Sequence, residues 1–136
     1  MLVALLALIG ALVALYLTLY KVGVIGALAC QIGSCERVNT SRWATFLGLP
    51  VAAWGLATYL LLLGIALRGL GTRPPRATGW LLAAISGWGV LFSGWLTYLE
   101  LFVIHSICIW CVTSATIMTL IFITSAIGLR RLPPAR

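Results

Sequence analysis

The sequence predicts an all-α integral membrane protein, a bundle of four transmembrane helices with an extracytoplasmic cysteine loop between helices one and two. Three observations carry this reading. Of 136 residues, 62% are hydrophobic and only 8% charged. Mean hydropathy is +1.14. Four stretches, 2–20, 47–67, 77–99 and 109–129, contain no Asp, Glu, Lys, Arg or His. Each holds roughly 20 residues, which at about 1.5 Å of rise per residue crosses a hydrocarbon core. This composition excludes an ordinary soluble globule, and it excludes disorder, which requires few apolar residues and many charges. A net charge of +7 would suit nucleic acid if the basic residues clustered on one face. They are scattered between apolar stretches instead, so the expected partner is the lipid bilayer and not nucleic acid.

The first span follows Met1 with no basic residue before it, and it exceeds the roughly 7 to 15 apolar residues of a secretory signal, so it is read as a retained helix. Ala27-Leu28-Ala29-Cys30 resembles a lipoprotein cleavage site only faintly, because its leucine is misplaced. Gly48 and Pro50 lie where the first connection feeds into span two, and proline suits a first helical turn. Gly69, Gly71, Pro74 and Pro75 make the next connection a turn. After span four, Pro133-Pro134 stops the helix, and the short tail leaves 1–136 as one expected unit without a separate soluble domain. Tyr16, Tyr20, Trp43, Trp80, Tyr98 and Trp110 fall near span ends, where aromatic side chains anchor at the interface. Trp54, Trp88 and Trp95 are deeper. They are expected to pack against another helix or line a pocket, since an indole N–H facing lipid lacks a partner.

Orientation follows from the arginines. Arg68, Arg73, Arg76, Arg130, Arg131 and Arg136 fall on one side of the membrane, and Lys21, Arg37, Arg42 and both acids, Glu36 and Glu100, on the other. The positive-inside rule then places both termini in the cytoplasm of a cell inner (plasma) membrane. All four cysteines, Cys30, Cys35, Cys108 and Cys111, are expected on the extracytoplasmic face, where disulfides form and persist.

Cys108-Ile109-Trp110-Cys111 is a C-x-x-C motif at a predicted helix start. The second cysteine falls one turn inward, within reach of an S–S bond, and unsatisfied N–H groups at the helix start stabilise a thiolate. Such a pair is reactive because its thiolate is accessible at low pH. Cys30 and Cys35 lie in the first connection with Gly33 and Ser34 between them. A loop pair beside a helix-start pair can pass two electrons by thiol–disulfide exchange. Three other uses of the cysteines stay open: two structural disulfides, although so small a loop confers little entropic benefit; a zinc site; or soft-metal binding or transport. Transport is weakened because the spans carry no paired acids or histidines. Cys111, about one turn below the surface, could face a lipid-soluble two-electron acceptor, for which a quinone is the first candidate.

These residues resemble the vitamin K epoxide reductase family. The resemblance rests on Cys30 through Cys35, then Arg37, Val38, Ser41, Arg42 and Trp43, on Phe46-Leu47-Gly48-Leu49-Pro50 and Trp54-Gly55, and on Cys108-Ile109-Trp110-Cys111-Val112-Thr113. It covers nearly the whole chain, with spans one and three matching mainly by hydrophobicity. The resemblance implies a four-helix bundle around a quinone pocket. It implies that Cys111 reacts with the quinone (menaquinone or ubiquinone), that Cys108 exchanges with Cys35, and that Cys30 receives electrons from a thioredoxin-like thiol protein. Ser41 matches a family serine near the quinone. Animal members carry a Tyr where this chain has Ala115 and an Asn where it has Val51, so at these two quinone-site positions the resemblance implies simple quinone reduction without the polar groups that serve an epoxide. Many bacterial relatives fuse a thioredoxin-like domain after the bundle, so here the partner is expected in trans. Disulfide bond formation protein B, a four-helix quinone reductase, carries its C-x-x-C in the first outer loop, the reverse of the order seen here.

Asn39 and Trp43, beside Ser41, are further candidates to touch the quinone headgroup. Glu100 and His105 precede span four and could supply protons to a reduced quinone. For both, the expectation is a solvated loop, the usual place for such residues at a membrane boundary.

Overall fold

The computed structural model describes residues 1–24, 26, 35–71 and 75–131, and of residues 35, 36, 39 and 44 the backbone alone. Helix α1, Leu2–Lys21, is an uninterrupted apolar run, and in lipid such a run has no way to satisfy its backbone polar groups except by coiling. Its inner face is a stripe of small residues, Ala4, Ala7, Ala11 and Ala14, continued by Leu17, while Leu5, Leu8, Leu12 and Leu15 point outward. Small residues at that spacing let neighbouring backbones approach closely. Helix α3, Val51–Arg68, takes advantage of this: the Tyr59 ring lies over Gly10, where any Cβ would overlap it.

Helix α4, Arg76–Leu99, and α5, Ile109–Arg131, form the second pair. At Gly89 an added Cβ would stand 2.8 Å from the sulfur of Met118 on α5, so this contact too depends on a missing side chain. α1 packs on α3 and α5, and α4 on α3 and α5, which closes a ring of four. Leu62 and Ile121 are fully buried at its centre, and leucines, isoleucines and tryptophans cover the outside. The four helices are long and apolar enough to cross a membrane, and the chain is a multi-pass membrane protein with the all-α bundle expected of it.

One boundary moved. The charge-free window begins at residue 47, yet α3 begins at Val51. Leu47 (φ 53) and Gly48 (φ 81) make a two-residue turn of the type that requires both central residues in the left-handed region. The turn joins β1, Thr45–Phe46, to β2, Leu49–Pro50, antiparallel, with Phe46 opposite Leu49. Before this hairpin come α2, Cys35–Thr40, and a single 3-10 turn, Arg42–Ala44. After α4 the chain widens into a π-type turn, Glu100–Ile104, and reverses at His105, whose backbone is left-handed (φ 56). All these irregular pieces lie at the end of the bundle where α5 starts.

Candidate functional site

Cys108 is the residue that starts α5. Its carbonyl accepts the Val112 N–H at 3.0 Å, and its sulfur accepts the Cys111 N–H at 3.4 Å, the position an N-capping side chain occupies. Its own N–H donates to the Glu100 carboxylate at 3.3 Å. The Glu100 carbonyl in turn accepts the Ser106 N–H at 2.9 Å. Thus the wide turn folds the chain back so that Glu100 holds the residue that opens the next helix, a use consistent with the frequent placement of π-type turns at functional sites.

Cys111 is one turn further along. Its thiol interacts with both the Cys108 sulfur and the Glu100 carboxylate. Cys108 lies between the spans. The hydrogen bond from the Cys111 thiol, helped by the N–H groups of Cys111 and Trp110, holds its thiol below the ordinary range, against burial and the nearby Glu100 charge. Cys108 is completely buried. Cys111 is half-buried and opens onto a cavity of about 280 Å³, close to the lower end of the range for small-molecule pockets.

Much of the rest of the cavity wall is aromatic. Trp43, Phe46, Trp54, Trp88 and Phe92 line it. Phe46 packs edge-on against both Trp54 and Phe92, each at 6.3 Å between ring centres, and the Trp54 indole donates to the Phe46 carbonyl at 2.9 Å. A second recess of about 330 Å³ shares Trp43, Phe46, Val51 and Phe92 with the first and continues along Trp95. At the floor, the Tyr59 hydroxyl donates to the Ser114 carbonyl at 2.7 Å and pairs with the Ser114 hydroxyl at 2.9 Å.

Of the residues singled out in the sequence, Cys111, Ser41, Trp43, Val51 and Ala115 all line this cavity, with Cys108 directly behind Cys111. Ser41 donates its hydroxyl to the Val38 carbonyl at 2.7 Å. Cys35 opens α2 and Asn39 lies within it, their side chains outside the described set; Cys30 lies outside the described residues altogether. One expectation is corrected. Glu100 is not in a solvated loop: it is 4% exposed and lines the cavity, because the wide turn carries it inward onto the α5 start. Of the tryptophans placed near span ends, Trp43 lines the cavity, and Trp110 rests on Tyr16 at 5.1 Å between ring centres. His105 is exposed, as a solvated loop residue would be. Tyr59, Phe46, Phe92 and Ser114 were missed. Tyr59 had a signal, because a hydroxyl in mid-span needs a partner.

The profile of the vitamin K epoxide reductase family matches residues 1–126, which takes in the hairpin, the cavity walls and the C-x-x-C pair together. The chain therefore belongs to the vitamin K epoxide reductase family, and with it to the quinone-linked thiol oxidoreductases.

Proposed function

We propose that the protein takes electron pairs from a thioredoxin-like thiol partner through Cys30 and Cys35, passes them to Cys108 and Cys111, and delivers them to a membrane quinone, supporting disulfide formation in exported proteins. One observation carries the reading. Cys111 opens onto an aromatic cavity while Cys108 is buried behind it with its thiol held below the ordinary range, so the two sulfurs differ in what they can meet. The sulfur at the cavity meets a planar apolar acceptor, and the easily ionised one is suited to thiol exchange. The helix that Cys35 opens packs against both α1 and α5, which favours exchange between the two pairs. Val51 and Ala115 present no polar group to the cavity, which favours quinone reduction over epoxide reduction. The quinone is menaquinone or ubiquinone, the membrane is the cell's inner (plasma) membrane, and the arginine distribution argues for cytoplasmic termini and an extracytoplasmic cysteine end.

The test follows quinone absorbance with purified protein and a reduced thioredoxin-like protein. Wild type is expected to turn over quinone, and Cys111→Ala to lose at least about a thousandfold of that rate, as removal of a covalent participant does. Equal rates would end the proposal.

A further inference from the structure

Two groups beside Cys111 can take its thiol proton: the Cys108 sulfur, which accepts the Cys111 N–H at 3.4 Å, and the Glu100 carboxylate, which holds the Cys108 N–H and lines the same cavity. A thiol is a poor source of an electron pair and a thiolate a good one, so the proton must leave Cys111 before its electrons do. If the Cys108 sulfur took that proton it would lose the thiolate it needs to close the S–S bond. Glu100 has no such conflict. It is 4% exposed, lines the same cavity as Cys111 and is anchored through Oε2 by the Cys108 N–H at 3.3 Å. The chain has only two acids, Glu36 and Glu100, and an acid at a membrane boundary that is buried against a thiol is costly unless it is used.

We infer that Glu100 is a catalytic residue, the base that takes the Cys111 proton and hands it to the quinone oxygen. The inference rests on the quinone-reductase reading of the site. In the balanced step the Cys111 S–H bond breaks and its proton goes to the Glu100 carboxylate. The S–S bond between Cys108 and Cys111 forms, and the two electrons released reduce the quinone to hydroquinone. One of the hydroquinone protons comes from Glu100 and the other from water, replacing the proton Cys108 gave up on ionising. Glu100 ends as it began. The other titratable groups lining this cavity are Lys21 from the end of α1 and Tyr59 from α3, with Cys111 from α5; Cys108 adjoins through its N–H, and His105 is exposed beyond the turn.

The experiment is single-turnover oxidation of the prereduced full chain by a soluble short-chain quinone, as a function of pH. Two groups, Glu100 and Cys108, must be ionised, so the wild-type log rate should fall on the acid side with a slope approaching about two. Glu100→Gln keeps an oxygen for the Cys108 N–H but no base. It is expected to lose about a hundredfold in rate and to fall with a slope of about one, while quinone still quenches tryptophan fluorescence as in wild type. Glu100→Asp should keep the steeper slope at an intermediate rate, and it decides the matter if the glutamine variant fails to fold. A Glu100→Gln rate within threefold of wild type, or the same slope in both, overturns the inference, as does an aspartate variant with the shallow slope. Wild type that reduces no quinone at any pH overturns the underlying reading instead, so the two failures are told apart.

Discussion

The two sides of the cavity are built on different physics. On the α5 side, the Glu100 carboxylate accepts from the Cys108 N–H, the Cys108 sulfur from the Cys111 N–H, and the Ser114 carbonyl from the Tyr59 hydroxyl. On the other, Phe46 meets Trp54 and Phe92, and Trp95 meets Trp43 and Phe92, through ring contacts, while Trp88 stays 71% exposed. Hydrogen bonds to a helix start fix atoms in place, which is what a reacting sulfur needs. Ring contacts supply area and tolerate adjustment, which suits recognition of a flat apolar ligand. The division teaches that reaction and recognition are assigned to separate elements of the fold, so they should fail separately.

The largest effect should come from the hydrogen-bonded side. Cys108→Ser replaces the thiolate by an oxygen that still caps α5, so quinone reduction should fall by more than about a thousandfold while the thermal midpoint in detergent stays within a few degrees. Measurable turnover within tenfold of wild type would mean that the second sulfur is not needed. The aromatic side should respond differently. Trp88→Ala combined with Phe92→Ala removes apolar contact area and should raise KM for quinone by about tenfold with little change in kcat, the pattern of lost uniform binding. A fall in kcat at constant KM would erase the distinction between the two sides. The smallest effect is a titration. In a Cys30→Ser, Cys35→Ser background, the thiolate absorbance of Cys108 should rise with a midpoint below the ordinary thiol range. Adding Cys111→Ala removes the donor that favours the thiolate, so the midpoint should move up and less thiolate should be present at neutral pH. An unmoved midpoint would assign the depression to the helix start alone.

Much of this arrangement was legible along the chain, and the illegible parts share a cause. Four charge-free windows gave four helices because lipid solubility is a local property, summed over about 20 residues. The C-x-x-C pair was readable because its geometry is set within one helical turn. Glu100 was not, since its burial depends on a π-type turn and a left-handed His105, neither of which has a strong residue signature. Leu47-Gly48 hid for a related reason: a leucine in the left-handed region is not what turn propensities favour, and its apolar side chain extended the window into the hairpin. Gly10 beneath Tyr59 is a contact between residues 49 positions apart, beyond any local pattern.

The link from Glu100 to Cys108 has a consequence for how such chains can vary. The carbonyl and the carboxylate of one residue are both committed, to Ser106 and to Cys108, so the length of the segment between Glu100 and Cys108 is fixed by a closed ring of bonds. Within the ring Ile104 lines the cavity, Ser106 is buried and His105 holds a left-handed backbone, so exchange is easiest at the exposed positions and only while the number of residues is kept. An insertion or deletion there would turn the carboxylate off the sulfur pair, which makes the spacing itself, a glutamate eight positions ahead of a C-x-x-C, a condition of the site.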